Sequence, residues 1–337
     1  MFEKVNPGHP DKMADRLAGA VVDLVYERAG GLTKANPRVA CEVMAGHGRV
    51  DVQIETSLGR LDLRADDLDP LIHRLFGERV EGNVLIAPQD PHLSENQTRG
   101  LRSKTFESPD GTGDGVSQGQ RVMRCGDNGI FRGVPPTYEQ KVLTALAATM
   151  YENIPYDGKY IINRKFWEED PDYVSYGVTV CQSHATQQEI CMLLSAFEKS
   201  QFDAKGIFCP IDEYTINPLG PWTGGIDVDC GCTNRKLGSD MGDGVTGGGL
   251  MGKDLSKADV SVNIVCYLKA VASGQVVTAV CSIGDEDVTF TYADGRRETE
   301  RFADIVEQAR LYILTDCNGS FEKFAEWGLI RPNFPIE

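Results

Sequence analysis

Two segments far apart in the chain carry residue types that suit a metal-bound polyphosphate. Gly8-His9-Pro10-Asp11-Lys12 and Gly247-Gly248-Gly249-Leu250-Met251-Gly252-Lys253-Asp254-Leu255-Ser256-Lys257-Ala258-Asp259 supply a histidine, aspartates and three lysines on glycine-lined backbone. Carboxylates take hard cations, lysines take phosphate oxygens, and glycine lets backbone N–H groups come close. Neither segment suffices alone. Asp11 after Pro10 reads equally as a helix N-cap, with His9 a solvated loop residue. Lys253 and Lys257, if helical, share a face with Asp254 and Asp259 nearby, as a solvated charged surface would. Gly247 to Asp254 has P-loop spacing, but Asp254 stands where that motif needs a hydroxyl for magnesium, and no clear buried strand leads into it; a P-loop nucleotidase is rejected.

The elements that must position these residues form three successive units mixing helices with extended segments, over 1–100, 101–222 and 223–337. In the first, Met13, Leu17, Val21 and Val25 recur at four-residue spacing, and Gly30-Gly31 supplies a helix stop. Val50, Val52 and Ile54 alternate with Asp51, Gln53 and Glu55 as a half-buried strand of a hairpin. Asp69-Pro70 opens a helix with Leu71, Ile72, Leu75 and Phe76 on one face, and Asn83 to Ala87 reads as a buried strand. Thr98 to Gln120 has no apolar period and reads as a mobile loop.

Two capping-box patterns, Thr137 to Gln140 and Thr186 to Glu189, open helices carrying Val142, Leu146 and Met150 or Ile190, Leu193, Leu194 and Phe197. Between them Val174, Tyr176, Val178 and Val180 alternate as a strand. The third unit predicts a helix from about Lys257 to Ala272, strands at Val276 to Ile283 and Val288 to Tyr292, and a helix with Phe302, Ile305, Val306 and Ala309. The fold class is α+β, and three similar units invite a pseudo-threefold arrangement of sheets with helices covering one face.

At 337 residues the chain is long for a single core. Its net charge of −16 excludes a general nucleic-acid or anionic-membrane surface, so any polyanion must be held locally. No apolar run approaches the ~20 residues of a membrane span, and the N-terminus lacks signal-peptide regions; the expectation is a cytoplasmic protein with no membrane partner. Ten scattered cysteines read as reduced, mostly buried thiols. Cys230-Gly231-Cys232 lacks the second cysteine pair or histidine pair of a structural zinc site.

Read in order, Gly8 to Lys12, Val39-Ala40-Cys41-Glu42, Gly126-Asp127-Asn128-Gly129, Asp157-Gly158-Lys159, Asp229 to Lys236 and Gly247 to Asp259 resemble the motifs of methionine adenosyltransferases, also called S-adenosylmethionine synthetases. The resemblance implies transfer of the adenosyl group of ATP to the sulfur of methionine, with the triphosphate chain released and hydrolysed to phosphate and diphosphate. It also implies three α+β domains about a pseudo-threefold axis, Mg2+ and K+ as cofactors, and a homodimer or dimer of dimers with active sites between subunits.

By the same resemblance, His9 sits beside the departing oxygen, and Asp11 and Asp259 match magnesium positions. Lys159, Arg235, Lys236, Lys253 and Lys257 match positions at or beside the phosphates; Trp222 matches an aromatic stacked on adenine. Asp157 and Asp229 match nucleotide-site acids, Glu55, Gln89 and Asp127 the methionine side, and Glu42 a potassium-associated glutamate. Departures concentrate on the methionine side and the gating loop. Arg124-Cys125-Gly126-Asp127-Asn128-Gly129 stands where the family usually has Gly-Ala-Gly-Asp-Gln-Gly, Thr246 replaces a histidine, and His92 replaces an acid. The rival readings are an ATP triphosphate hydrolase without productive methionine binding and a non-catalytic regulatory homologue.

Overall fold

In the computed structural model, which describes residues 1–101, 128–166, 174–205 and 211–332, a short strand β1 (Phe2–Val5) leads into helix α1 (Pro10–Arg28). Leu17, Val21 and Val25 are fully buried and Met13 partly so, as the four-residue spacing requires. Beyond the helix, Gly30 and Gly31 take positive φ values that other residues resist.

Among the described residues there are three four-stranded sheets; the first two share one plan, and in the third every pairing is antiparallel. In the first, β2 (Val39–Gly46) and β3 (Arg49–Thr56) form a hairpin. A 3-10 turn at Ala65–Leu68 and α2 (Asp69–Phe76) then return β4 (Glu81–Pro88) parallel to β3. After α3 (Pro91–Gly100), β5 (Asn128–Gly133) and α4 (Tyr138–Asn153), the second sheet repeats this arrangement. There β6 (Gly158–Phe166) and β7 (Val174–Gln182) pair antiparallel, and α5 (Gln187–Lys205) crosses to β8 (Ile211–Ile216), parallel to β7.

A two-residue strand β9 (Gly231–Cys232), α6 (Leu237–Met241) and α7 (Ala258–Ser273) precede the third hairpin, β10 (Val277–Ser282) with β11 (Asp287–Tyr292). The last elements are β12 (Arg297–Arg301), α8 (Phe302–Asp316) and α9 (Phe321–Trp327). Each hairpin is closed on its open side by a strand from a distant part of the chain: β9 beside β2, β1 beside β6, and β5 beside β10. The exchange is cyclic. The N-terminal hairpin takes a strand from the C-terminal stretch, the central hairpin one from the N-terminus, and the C-terminal hairpin one from the centre.

The fold is α+β. One core joins the first and third sheets through α1, α7 and α8, with Leu17, Val52, Ile264 and Phe290 fully or almost fully buried; a second joins α4 and α5 to β6 and β7 around Leu146, Tyr160 and Phe197. Both capping boxes form. Thr137 accepts the Gln140 N–H while Gln140 accepts that of Thr137, and Thr186 and Glu189 do the same.

Three expectations change. The strand at Asn83 to Ala87 is not buried: β4 is a sheet edge, and Leu85 is 59% exposed because none of the described residues covers that face. Thr98 to Gly100 belong to α3, so the segment expected to be a mobile loop begins as helix, while 102–120 lie outside the described residues. Lys253 and Lys257 do not share a helical face. Lys253 bridges to Ala40 in extended pairing, and α7 begins only after Lys257, its N-cap. All eight described cysteines are free, but only Cys41, Cys266, Cys281 and Cys317 are buried. Among the described residues no helix is long and apolar enough to cross a membrane.

Candidate active site

The first cluster gathers at the N-terminus of α1. His9 is the N-cap, and its Nδ1 accepts the Asp11 N–H at 3.2 Å. An imidazole that accepts through Nδ1 carries its proton on Nε2 when neutral. Burial, reinforced by the Lys236 ammonium, pushes His9 down to about 4, so it is neutral at pH 7 and its 3.8 Å approach to the Asp11 carboxylate is no ion pair. His9 is therefore neither solvated nor a bystander to the cap.

Asp11 holds the return loop. It accepts the Cys232 N–H at 2.9 Å and meets Lys236 at 2.9 Å and Arg235 at 3.5 Å. One turn later Asp15 accepts the Asn234 N–H at 2.8 Å. Two carboxylates four residues apart on α1 thus fix the backbone that presents Arg235 and Lys236. Gly231 lies so close to Pro10 that a Cβ there would come within 2.0 Å of its carbonyl oxygen.

On the central sheet β6 carries Lys159, whose ammonium meets Glu3 of β1 at 2.8 Å. Just before β6, Asp157 accepts the Gly225 N–H at 2.9 Å, while its other oxygen is buried without a partner. Burial pushes this carboxyl up to about 6. Trp222 stands beside it: a Cβ on Gly224, at φ +62°, would lie within 3 Å of both the indole and Asp157. Asp229, capped onto the Cys230 N–H, adds negative charge near His9. A cavity of about 500 Å³ bounded by Glu3, Gln140, Arg235, Lys236 and Asp243 adjoins this cluster.

The second cluster surrounds a cavity of about 350 Å³ that Glu55, Lys253, Lys257 and Asp259 line. Lys253 donates to the Gly248 carbonyl at 2.5 Å and to Asp259 at 2.8 Å. A Cβ on Gly248 would press on the Asp259 carboxylate at 2.9 Å, and one on Gly247 would strike Gly129 of β5, so the glycine triplet lets two backbones and a carboxylate meet. Asp254 is structural: wholly buried, it accepts the Val39 and Ser256 N–H groups.

Of the residues singled out in the sequence, the fold brings together His9, Asp11, Asp157, Lys159, Trp222, Asp229, Arg235 and Lys236 in one cluster and Glu55, Lys253, Lys257 and Asp259 in the other. Among the described residues no side-chain hydrogen bond or ion pair joins the two. Gln89 is nearly buried and not on the cavity wall; Gln97 of α3 stands there and accepts its amide at 2.8 Å. Glu42 lies exposed on β2, hydrogen-bonded by Thr233. Asp127 lies outside the described residues.

Asp11 and Asp259 fall in different clusters, and among the described residues no group of three or more His, Cys, Asp and Glu side chains suits a metal ion. Each acid is a lone carboxylate beside a lysine. That donor set fits Mg2+ arriving with a polyphosphate, since Mg2+ takes one or two protein carboxylates and completes its shell with phosphate oxygens and water.

Sequence reasoning missed Glu3 and a charge cluster beneath the site. Lys12 meets Asp240 at 2.7 Å and Asp15 at 3.1 Å, all essentially inaccessible. Lys4 spends its ammonium on the Ser239, Trp327 and Ile330 carbonyls, and burial pushes it down to about 7. The signal available was a lysine and an aspartate three apart near the start of α1.

Fold and site together define an α+β protein with two cation-rich, carboxylate-bearing pockets built on glycine-lined backbone. No family model matches the chain. It is 27% identical to the S-adenosylmethionine synthase of Syntrophobacter fumaroxidans, with 98% of this chain and 89% of that protein covered. It is also 27% identical to that of Cereibacter sphaeroides, with 77% and 69% covered. Among solved structures, one described as an unusual S-adenosylmethionine synthetase from Campylobacter jejuni superposes with a TM-score of 0.60 over 97% of this chain and 93% of the other, at 18% identity. The chain is a divergent relative of the S-adenosylmethionine synthases.

Proposed function

We propose that the protein transfers the adenosyl group of ATP to the sulfur of methionine, forming S-adenosylmethionine, and hydrolyses the released triphosphate to phosphate and diphosphate. The observation that carries this reading is the neutral, N-capping His9 set among Lys159, Arg235 and Lys236. A thioether sulfur has no proton to lose, so its lone pair attacks C5′ as the C5′–O bond breaks without a general base. The barrier depends on alignment and on the charge that gathers on the departing oxygen.

His9, held by Asp11 through Nδ1, has Nε2–H to donate to that oxygen. The lysines and arginine take phosphate oxygens through charge-assisted bonds worth roughly 1.5–3 kcal/mol each. Their carboxylate partners, Glu3 for Lys159 and Asp11 for Lys236, keep these cations placed until phosphate replaces them. Trp222 and the unpartnered Asp157 oxygen suit an adenine ring and its amino group. Mg2+, held by Asp11 and Asp259 with the phosphates, supplies further charge neutralisation when bound; K+ is assigned to Glu42.

The two clusters are proposed to meet across a homodimer. Supporting this, among the described residues the first and third sheets leave Met44, Leu85, Ile130 and Val280 exposed on strands that also carry the exposed Glu42 and Glu55. Mass spectrometry of products from ATP and Mg2+, with and without methionine, tests the reaction. S-adenosylmethionine is expected only with methionine; phosphate release alone would favour the hydrolase, and no turnover by folded protein a regulatory role. Mixing His9→Ala with Asp259→Asn chains at limiting magnesium tests the shared site, because a mixed dimer carries one site free of both substitutions and turns over faster than either variant alone.

A further inference from the structure

We infer that Gln97 is a specificity residue of the second pocket, its side-chain amide receiving the carboxylate of the amino-acid substrate. The inference rests on the adenosyl-transfer reading and concerns a residue that sequence comparison did not single out. Gln97 is nine-tenths buried on α3, yet it forms part of the wall of the 350 Å³ cavity. Its Oε1 accepts the Gln89 amide, and its Nε2 makes no hydrogen bond among the described residues. Gln89 stands one layer behind, its own Oε1 buried without a partner.

The helix that carries Gln97 is tied down on either side of it, and the amide itself is held by Gln89. Asp90 caps α3 through the Leu93 N–H at 2.9 Å, Arg38 reaches Thr98 at 3.1 Å, and Gln89 fixes the rotamer. A buried donor oriented this way gains most from an acceptor that carries charge. The lysines on the same cavity are already committed, Lys253 to Asp259 and Lys257 to Asp254. Gln97 therefore offers a donor that competes with no carboxylate of the protein and adds no charge to attract polyphosphate. Leu93 and Phe302 on the same wall suit an apolar side chain, and Glu55 an ammonium group, completing the pattern of a zwitterionic amino acid.

Calorimetric titration of the full-length protein, with Mg2+ and a non-hydrolysable ATP analogue present, compares L-methionine with L-methioninol, which lacks the carboxylate. Gln97→Met removes the donors at similar volume, and Gln97→Glu replaces them with a like charge. We expect methionine to bind about tenfold more weakly to Gln97→Met and weaker still to Gln97→Glu, with methioninol changed by no more than about twofold. A purely structural role would weaken both ligands alike in both variants, and that result, or no loss for methionine, overturns the assignment. Wild-type protein that binds methionine but shows no difference from the variants leaves adenosyl transfer standing without Gln97; wild-type protein that binds neither ligand removes both.

Discussion

Replacing His9 by asparagine separates its cap from its titration. Asparagine still accepts the Asp11 N–H, so α1 keeps its N-cap. The imidazole, in contrast, falls from 6.5 to about 4 on folding because burial and Lys236 oppose its charge. Above 6.5 the folded and unfolded chains both hold it neutral, and it contributes nothing pH-dependent. As pH falls through 6.5 the unfolded chain takes up the proton first, so the native state loses stability until the folded group also protonates near 4.

At 1.36 kcal/mol per pH unit, this single site removes about 2 kcal/mol between pH 7.5 and pH 5. Urea unfolding of wild type and His9→Asn across that range isolates the term, because groups such as Asp157 and Lys4 are common to both and cancel. The wild type should fall by the full amount relative to the variant. Parallel curves would show an imidazole free to protonate in the native state and would refute the neutral donor argued for the departing oxygen.

His9→Ala should lower turnover on the order of 10²–10³-fold, as loss of an active-site donor does, while the affinity for methionine stays near that of wild type; unchanged turnover in steady-state assays removes His9 from the reaction. Asp259→Asn should raise the magnesium needed for half-maximal activity, since a neutral amide replaces a carboxylate and Lys253 loses its partner; an unchanged magnesium titration places Asp259 outside the metal's surroundings. Lys12→Met should cost about 3–5 kcal/mol in chemical denaturation, because Asp15 and Asp240 are left as uncompensated buried charges; a loss below about 1 kcal/mol would mean that water reaches them.

Much of the site was legible because its residues announce themselves locally. Glycine beside His9 and the glycine triplet before Lys253 are demanded by close backbone approach, and the order of these motifs in the chain carried the family resemblance. Where reading failed, the cause was distance. The helical face drawn for Lys253 and Lys257 assumed that near neighbours decide, but Lys253 is claimed by pairing with Ala40, more than two hundred residues away. Gln97 was passed over because a glutamine on a polar helix carries no signal until the cavity beside it is known.

By itself the sequence determined what neighbouring residues settle among themselves. It set the apolar stripes of α1, α4 and α8, both capping boxes, the first hairpin, and the charged residues that suit phosphate. Only the tertiary structure decided which strand closes each sheet, that β4 stands at a sheet edge, and how the chemistry divides into two pockets. The physical reason is that a helix turn or a capping box closes over three or four residues, whereas strand exchange and charge burial draw their stability from surfaces that exist only once distant segments have packed. Glu3 shows the difference most plainly. Nothing around it in the sequence marks it, yet pairing β1 against β6 delivers its carboxylate to Lys159.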